Sequence, residues 1–482
     1  MKKSLQSITQ SLVPPNQELP NVPVSGIKLN SEHVIKGDLF IAISGTKVDG
    51  HDFIHDAIES GASAIISNGR DVGELTVPQI KVANPRRAAS IVAAEYYGHP
   101  TQNLTVVGIT GTNGKTTTAS IIHSIFLDAG LKTAQLGTLG LIAEGYPQET
   151  SLTTPDAITL QKTFSDLRDA DFSHIVMEVS SHALNQYRVA DVKFDVALFT
   201  NLSPEHLDYH STLESYYQAK ARLFRMLPFD STAIVNDSDP NGKRMAEETN
   251  APTLSYSQGN SSSIHFTNLT LSISGITGVI SAGSMNFKIQ SNLVGEFNSE
   301  NILAAVSVAY ALGLEKSHIE NGISNCPPIS GRMESFKLAS DATAIIDYAH
   351  SPDAYEKVLG TLKELGTEST NLLVVFGAGG DRDVSKRPEM GRIAELFSTH
   401  CFIAPDNPRT ENPDKITQEV ISGFTQTNFT VFDNRGKALK SALDRSSKND
   451  IVVILGKGRE EYQDIMGQKE FYSDLEIIRT YQ

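Results

Sequence analysis

Residues 104–118 read LTVVGITGTNGKTTT. The apolar run predicts a buried strand, the glycines after it a tight loop, and Lys115-Thr116 the opening of a helix. In such a loop, backbone N–H groups and the helix N-terminus hold phosphates, the lysine reaches the outer phosphates and the threonine hydroxyl ligates magnesium. The strict pattern G-x-x-x-x-G-K-[ST] requires glycine at 109, where this chain has Ile109, so Gly108 and Gly111 are expected to supply the turn.

The alternation of short apolar strands with helical stretches extends in both directions. Towards the amino terminus, DLFIAIS, DFIHDAIESGA and SAIIS read as strand, helix and strand. Helical RRAASIVAAEYYG then meets His99-Pro100, where proline disfavours helix at the preceding residue, so a boundary is expected near residue 99. Towards the carboxyl terminus, HIVMEVS and DVALFT continue the strands. The Ser/Thr/Gly-rich segment 255–291 alternates like hairpins added to a parallel core, and a helix is expected from Asn298 to Leu312. After Cys326-Pro327-Pro328 the strand-like TAIIDYA, LLVVFGA and IVVILG predict a further α/β unit. The expected α/β domains are 1–99, 100–331 and 332–482, in keeping with 482 residues at about 150 per domain.

Composition narrows the function. Forty-one Lys and Arg against 56 Asp and Glu give a net charge of −15, which disfavours long-range attraction to nucleic acid or an anionic bilayer. Two cysteines, Cys326 and Cys401, make neither a disulfide framework nor a Cys-based metal site, so a reducing compartment is expected. The opening MKKSLQSITQSLVPP lacks the apolar run of a signal peptide, and no stretch approaches the roughly 20 apolar residues of a membrane span. The expectation is a cytoplasmic protein that neither binds nucleic acid nor inserts into a membrane.

A phosphate loop alone suits a kinase, a motor, a switch or a ligase. Glu178 ends the strand HIVMEVS, where a carboxylate beside the loop can hold magnesium. His206 follows in TNLSPEHLDYHST, close to Asn201, Glu205 and Asp208. Exits from consecutive strands bring these groups to the carboxyl edge of one sheet, where ligands bind. Read from the residues alone, Lys220 in SYYQAKARLF is a solvated helical lysine, while Arg409 is either a guanidinium that binds a carboxylate or a surface arginine in a proline-containing turn.

The ordered pieces GITGTNGKTTT, MEVSSHAL, TNLSPEHLDYH, ESYYQAKARLF, GEFNSENILAA, GRME, DYAHSPDA, FGAGGDRDVSKRP, DNPR and GKGREEYQ, spanning residues 108–463, resemble the Mur ligases, ATP-dependent amide-forming enzymes of peptidoglycan precursor synthesis. Within that family GDLFIAISG and DNPR are similar to the members that add meso-2,6-diaminopimelate to UDP-N-acetylmuramoyl-L-alanyl-D-glutamate. The resemblance implies a UDP-substrate domain, a central ATPase and a Rossmann-like carboxy-terminal domain receiving the amino acid, with a monomer as the expected state.

Carried over by residue, the resemblance implies that Leu29, Ser31, Thr46, Lys47 and Val48 meet the uridine nucleotide. Thr153, Thr154, Ser180, Gln186 and Arg188 would hold the muramoyl peptide. The ATP loop is Gly111, Thr112, Asn113, Gly114, Lys115, Thr116 and Thr117, with Asn298, Asn301, Arg332 and Asp347 as further ATP contacts. Arg382, Asp406, Asn407, Pro408, Arg409, Gly456 and Glu460 would form the diaminopimelate site. Lys115 would neutralise phosphate charge, Thr116 and Glu178 would hold one Mg²⁺, and His206 with a carbamylated Lys220 would hold a second. Arg409 would bind the distal carboxylate of diaminopimelate through two parallel hydrogen bonds, which lysine cannot return.

Three residues depart from the family pattern. Leu152 stands where relatives often have Asn, Glu205 where Asp is common, and Arg459 where His is usual in GKGHE, which is expected to add a cation near the acceptor site. Rival readings are a lysine-adding ligase, a folylpolyglutamate synthase, which shares the ATPase architecture, and an ATP-dependent regulatory protein without chemistry.

Overall fold

The strand Thr105–Thr110 has Val106, Val107 and Ile109 completely buried, as a continuous apolar run should be when helices cover both faces of a parallel sheet. It lies inside a ten-stranded sheet, between Val196–Phe199 and His174–Glu178. The structure, a computed structural model, describes residues 2–14, 19–45, 48–148, 152–259, 261–272, 275–367 and 369–482.

Six parallel strands form the heart of this sheet, in the order Thr253–Ser257, Thr232–Asn236, Val196–Phe199, Thr105–Thr110, His174–Glu178 and Thr133–Gly137. The expected hairpins are present as Ile264–Ser272, Gly275–Ala282 and Met285–Ser291, antiparallel to one another, the first joining Thr253–Ser257 in parallel at one edge. The helix Lys115–Asp128 covers one face, packed against Glu296–Ala311 and Lys316–Ser324. Glu296–Ala311 is buried nearly all round, and its polar Asn298 and Asn301 are buried with it.

Gly108 does not belong to the turn. It sits in the strand, where an added Cβ would lie 2.6 Å from the Phe194 ring, so its role is close packing of strand and side chain. The turn is made by Gly111 and Gly114, at φ +149° and +87°.

A second sheet of six strands pairs Thr343–Asp347, Ile451–Leu455, Leu372–Phe376, His400–Ile403 and Phe429–Val431 in parallel, with Glu334–Lys337 antiparallel at one edge. A third, of four parallel strands, takes Gly26–Lys28, Asp38–Ile41, Ala64–Ser67 and Gln79–Lys81. The helix Pro85–Tyr97 beside it is tied to the central region by the Arg87–Asp191 ion pair. Among the described residues no helix is long and apolar enough to cross a membrane.

Candidate active site

In each of the two larger sheets the parallel strands end on the same edge, and the two edges share one cavity of about 660 Å³. One wall is the phosphate loop with the exits of the neighbouring strands. The other carries Arg332, Asp347, Arg382, Asp406, Arg409 and Glu460.

The loop is shaped by its neighbours. Thr112 N–H donates to the carbonyl of Asn201 at 2.9 Å, Asn113 N–H to Asn201 Oδ1 at 2.9 Å, and Thr200 Oγ1 to the carbonyl of Asn113 at 2.7 Å. A Cβ at Gly111 would lie 1.9 Å from Thr200 Oγ1, and one at Gly114 would lie 2.3 Å from Asn301 Oδ1. Only glycine allows so close an approach at positive φ. No side chain caps the first turn of Lys115–Asp128, which leaves its macrodipole directed at the cavity. Thr117 is buried at the loop's end. Asn301 Nδ2 donates to Asn298 Oδ1 at 2.9 Å, a buried pair fixed beside the loop.

Two lysines converge here. Lys115 Nζ donates to the carbonyls of Gly111 and Thr112 at 2.9 and 2.8 Å. Lys220, 1% exposed, also donates to the Gly111 carbonyl, at 2.7 Å, with its nitrogen 4.2 Å from the Tyr216 ring centroid. Burial, then the nearby Lys115 charge, hold Lys220 well below the ordinary lysine range. The solvated-lysine reading fails at this position.

Glu178 is fully buried at its strand end. It accepts from Thr116 Oγ1 at 3.0 Å, Thr138 N–H at 2.9 Å and Thr138 Oγ1 at 3.1 Å. His206 lines the same cavity, its ring 5.0 Å from that of His182. Desolvation, with His182, Lys220 and Lys115, outweighs Glu205 and brings the His206 imidazole down to about 4. A neutral imidazole is the form that ligates metal. The threonine hydroxyl and the carboxylate are oxygen donors of the kind a hard divalent cation takes beside phosphates.

The departure at 205 has a structural consequence. Glu205 Oε1 lies 3.0 Å from His350 Nε2 across the cavity. Burial opposes its charge, yet the His350 and His206 rings and Lys115 hold this carboxyl far below the usual range. Asn113 Nδ2 makes a second bond across the cleft, to Asp353 Oδ2 at 2.8 Å. Arg332 makes a third, with Nη2 3.3 Å from Thr116 Oγ1.

On the facing wall, the turn 406–409 is laced to its surroundings. Asn407 Nδ2 donates to Glu460 Oε2 at 2.9 Å, and Arg409 Nη1 to the Gly380 carbonyl. Arg409 adopts φ +52°, with its N–H donating to the Asp464 carbonyl at 2.9 Å and its carbonyl accepting from Met466 N–H at 2.7 Å. Pro408 is buried beneath it. A Cβ on Gly456, at φ +106°, would lie 2.3 Å from Asp406 Oδ2.

Lys457 and Gln463 went unremarked in the sequence, although both stand in the quoted GKGREEYQ. Lys457, 1% exposed, donates to Asn407 Oδ1 at 2.9 Å and Glu460 Oε2 at 3.2 Å. Gln463 Nε2 donates to the carbonyls of Pro405 and Asp406 at 2.9 and 2.7 Å. Thr138 was also missed, although it follows Thr133–Gly137, a strand of the same sheet, at its carboxyl end.

Arg459 corrects an expectation: it adds no free cation to the acceptor site. Its guanidinium forms a two-pronged pair with Glu334, Nε to Oε2 at 2.7 Å and Nη2 to Oε1.

Thr153 and Ser180 line the cavity. Thr154 Oγ1 donates to the Glu178 carbonyl at 2.8 Å and accepts from Ser180 N–H at 3.0 Å. Arg188 donates to the Thr154 carbonyl at 2.7 Å and to Gln186 Oε1 at 2.8 Å. These five residues therefore form one patch beside Glu178. Leu152 is exposed. Leu29, Ser31 and Val48 belong to the amino-terminal region and do not line the cavity. Thr46 and Lys47 lie outside the described residues.

Residues 23–97 match the Mur ligase family catalytic domain, 109–309 the Mur ligase middle domain, and 331–458 the Mur ligase glutamate ligase domain. The chain belongs to the Mur ligase family. The UDP-N-acetylmuramoyl-L-alanyl-D-glutamate–2,6-diaminopimelate ligase of Aquifex aeolicus is 41% identical over 458 residues, covering 95% of this chain and 93% of its own. A solved structure of a ligase of that name superposes with a TM-score of 0.70 at 30% identity, over 100% of this chain and 99% of that one. A folylpolyglutamate synthase of Mycobacterium tuberculosis shares the fold at TM-score 0.64 and 18% identity, covering 77% of this chain and 92% of its own. Mur ligases form amide bonds at the expense of ATP, and this Mur ligase places the glycine-bearing loop and a facing wall of charged residues in one cavity.

Proposed function

We propose that this Mur ligase joins meso-2,6-diaminopimelate to the D-glutamate side-chain carboxylate of UDP-N-acetylmuramoyl-L-alanyl-D-glutamate, in peptidoglycan precursor synthesis. The observation that carries the reading is that Arg409, a fork-shaped cation suited to a distal carboxylate, opens onto the cavity that holds Lys115 and Thr116. The whole-chain similarity to relatives of that name supports it.

A carboxylate is unreactive towards an amine until its oxygen becomes a leaving group. Transfer of the γ-phosphoryl of ATP to the D-glutamate carboxylate gives an acyl phosphate, which the amine of diaminopimelate attacks with loss of phosphate. The protein's part is alignment and charge neutralisation. The loop from Gly111 to Thr117 cradles phosphate, Lys115 offsets its charge, and Asn298, Asn301, Arg332 and Asp347 hold the nucleotide. Thr153, Thr154, Ser180, Gln186 and Arg188 bind the muramoyl peptide, while Leu29, Ser31 and Thr46–Val48 bind its uridine end.

Mg²⁺ supplies charge neutralisation between the reacting oxygens when bound. Thr116 and Glu178 would hold one ion, and His206 with Lys220 a second. The low basicity of Lys220 favours the neutral amine to which CO₂ adds, with loss of a proton, to give a carbamate able to ligate metal. Arg382, Asp406, Asn407, Pro408, Arg409, Gly456 and Glu460 receive the amino acid. The division 1–99, 100–331 and 332–482 gives the uridine end, the phosphate loop and the amino acid a domain each, with Arg332 and Asp347 reaching the nucleotide from the third, and the enzyme acts as a cytoplasmic monomer.

The test is phosphate release with ATP and each substrate alone or together. Release that requires both UDP-N-acetylmuramoyl-L-alanyl-D-glutamate and diaminopimelate is expected. Release without the UDP substrate, or with lysine in preference, overturns the assignment.

A further inference from the structure

We propose that Arg459 is a positioning residue for the nucleotide: through Glu334 it fixes the turn that presents Arg332 to the phosphate loop. The inference rests on the reading of this cavity as a nucleotide site. It also runs against the position of Arg459 in the sequence, next to Glu460 on the acceptor wall.

Arg332 stands between two residues of left-handed backbone, Gly331 at φ +68° and Met333 at φ +46°. For a methionine that conformation is uncommon and persists only where surrounding contacts impose it. Two carboxylates impose it here. Glu334 Oε2 accepts from Gly331 N–H at 2.8 Å, and Asp347 Oδ2 accepts from Met333 N–H at 2.8 Å. So held, the arginine lays its guanidinium 4.8 Å from the Tyr348 ring centroid and reaches Thr116.

Asp347 is anchored at the end of its own strand and by the Ala349 N–H. Glu334 stands at the start of the antiparallel edge strand, and its orienting partner is Arg459. The two-pronged pair fixes the carboxylate plane, which a single N–H donor does not do. The backbones also touch: a Cβ on Gly331 would lie 2.9 Å from Gly458 Cα and 3.0 Å from Arg459 N. The turn of Arg332 and the loop of Arg459 are therefore packed backbone to backbone.

Loss of the Arg459 fork frees the Glu334 carboxylate from its plane and loosens the grip on Gly331 N–H. The defect should appear in nucleotide affinity, with the acceptor little affected. A lysine keeps the charge but not the two parallel bonds, and should give an intermediate effect.

The experiment is a double-mutant cycle on the full chain, reading the affinity for a non-hydrolysable ATP analogue by calorimetry. Arg459→Ala should weaken binding about tenfold in the parent and less than about twofold in an Arg332→Ala background, because its effect passes through Arg332. Arg459→Lys should weaken it about threefold, with KM for diaminopimelate within about twofold of the parent. If Arg459→Ala fails to fold, Arg459→Lys is measured in both backgrounds with the same expectation. Equal weakening in both backgrounds, no weakening, or a selective rise in KM for diaminopimelate overturns the proposal. A parent that binds no analogue overturns the nucleotide reading instead.

Discussion

Lys115 and Lys220 donate to one and the same carbonyl oxygen, that of Gly111, at 2.9 and 2.7 Å. Two amines on one acceptor are a costly arrangement if both are charged. Burial and then Lys115 push Lys220 down, and burial is the main cause of the lower value of Lys115. A lysine whose folded value lies below its ordinary 10.5 takes up a proton first in the unfolded chain. Stability therefore rises with pH between the folded value and that of the unfolded chain, and falls as pH drops through that window. Lys220→Met should raise Tm in CO₂-free buffer at pH 7 by more than it does at pH 10. An equal increment at both values would show that Lys220 is not held neutral.

Lys220→Ala tests the carbamate itself. The loss of a metal-ligating anion should lower kcat on the order of a hundredfold or more. Short carboxylic acids such as formate or acetate should restore part of it by occupying the vacated space. A variant as active as the parent would leave Lys220 without a catalytic part.

Lys115→Ala removes the cation nearest the phosphate loop. The expected loss in kcat is about 10²–10³-fold, with binding of the UDP substrate near normal, because Leu29, Ser31 and Val48 lie away from the cavity. The check is steady-state turnover alongside calorimetric titration of the UDP substrate. Near-normal turnover would contradict the role.

Gly456→Ala is a backbone test of the acceptor wall. At φ +106° the new Cβ would meet Asp406 Oδ2 at 2.3 Å, so the turn 406–409 must shift. KM for diaminopimelate should rise about tenfold or more while KM for ATP stays within about twofold. Equal changes in both constants would point to a general loss of structure.

The residues explain why some of this was legible in the sequence and some was not. The phosphate loop, Glu178 and the turn at Asp406 all follow apolar strands, and parallel topology carries strand exits to a common edge. Lys220 offered a quieter sign: in ESYYQAKARLF it falls four residues after buried Tyr216 and four before buried Phe224, on the apolar stripe of its helix. Gly108 was misplaced because a glycine inside a strand reads like part of the turn that follows. Only the packed Phe194 ring reveals its purpose. Arg459 reads as a cation near the acceptor site from its place in GKGREEYQ, whereas its partner Glu334 is 125 residues away in sequence.

The selectivity of the acceptor site depends on Arg409. Its strained backbone is clamped between Asp464 and Met466 and its guanidinium rests against the Gly380 carbonyl, so the fork is oriented before any ligand arrives. Diaminopimelate brings a carboxylate that can complete that fork, and lysine brings none. Arg409→Ala should raise KM for diaminopimelate about 30- to 100-fold, the equivalent of about 2–3 kcal/mol for one charge-assisted pair, and leave KM for ATP nearly unchanged. Lysine should gain little, because removing the arginine supplies nothing that selects a bare chain end. Measuring kcat/KM for both amino acids with parent and variant checks this. A parent that prefers lysine, or a variant with the parent's preference, would show that Arg409 does not set the choice of acceptor.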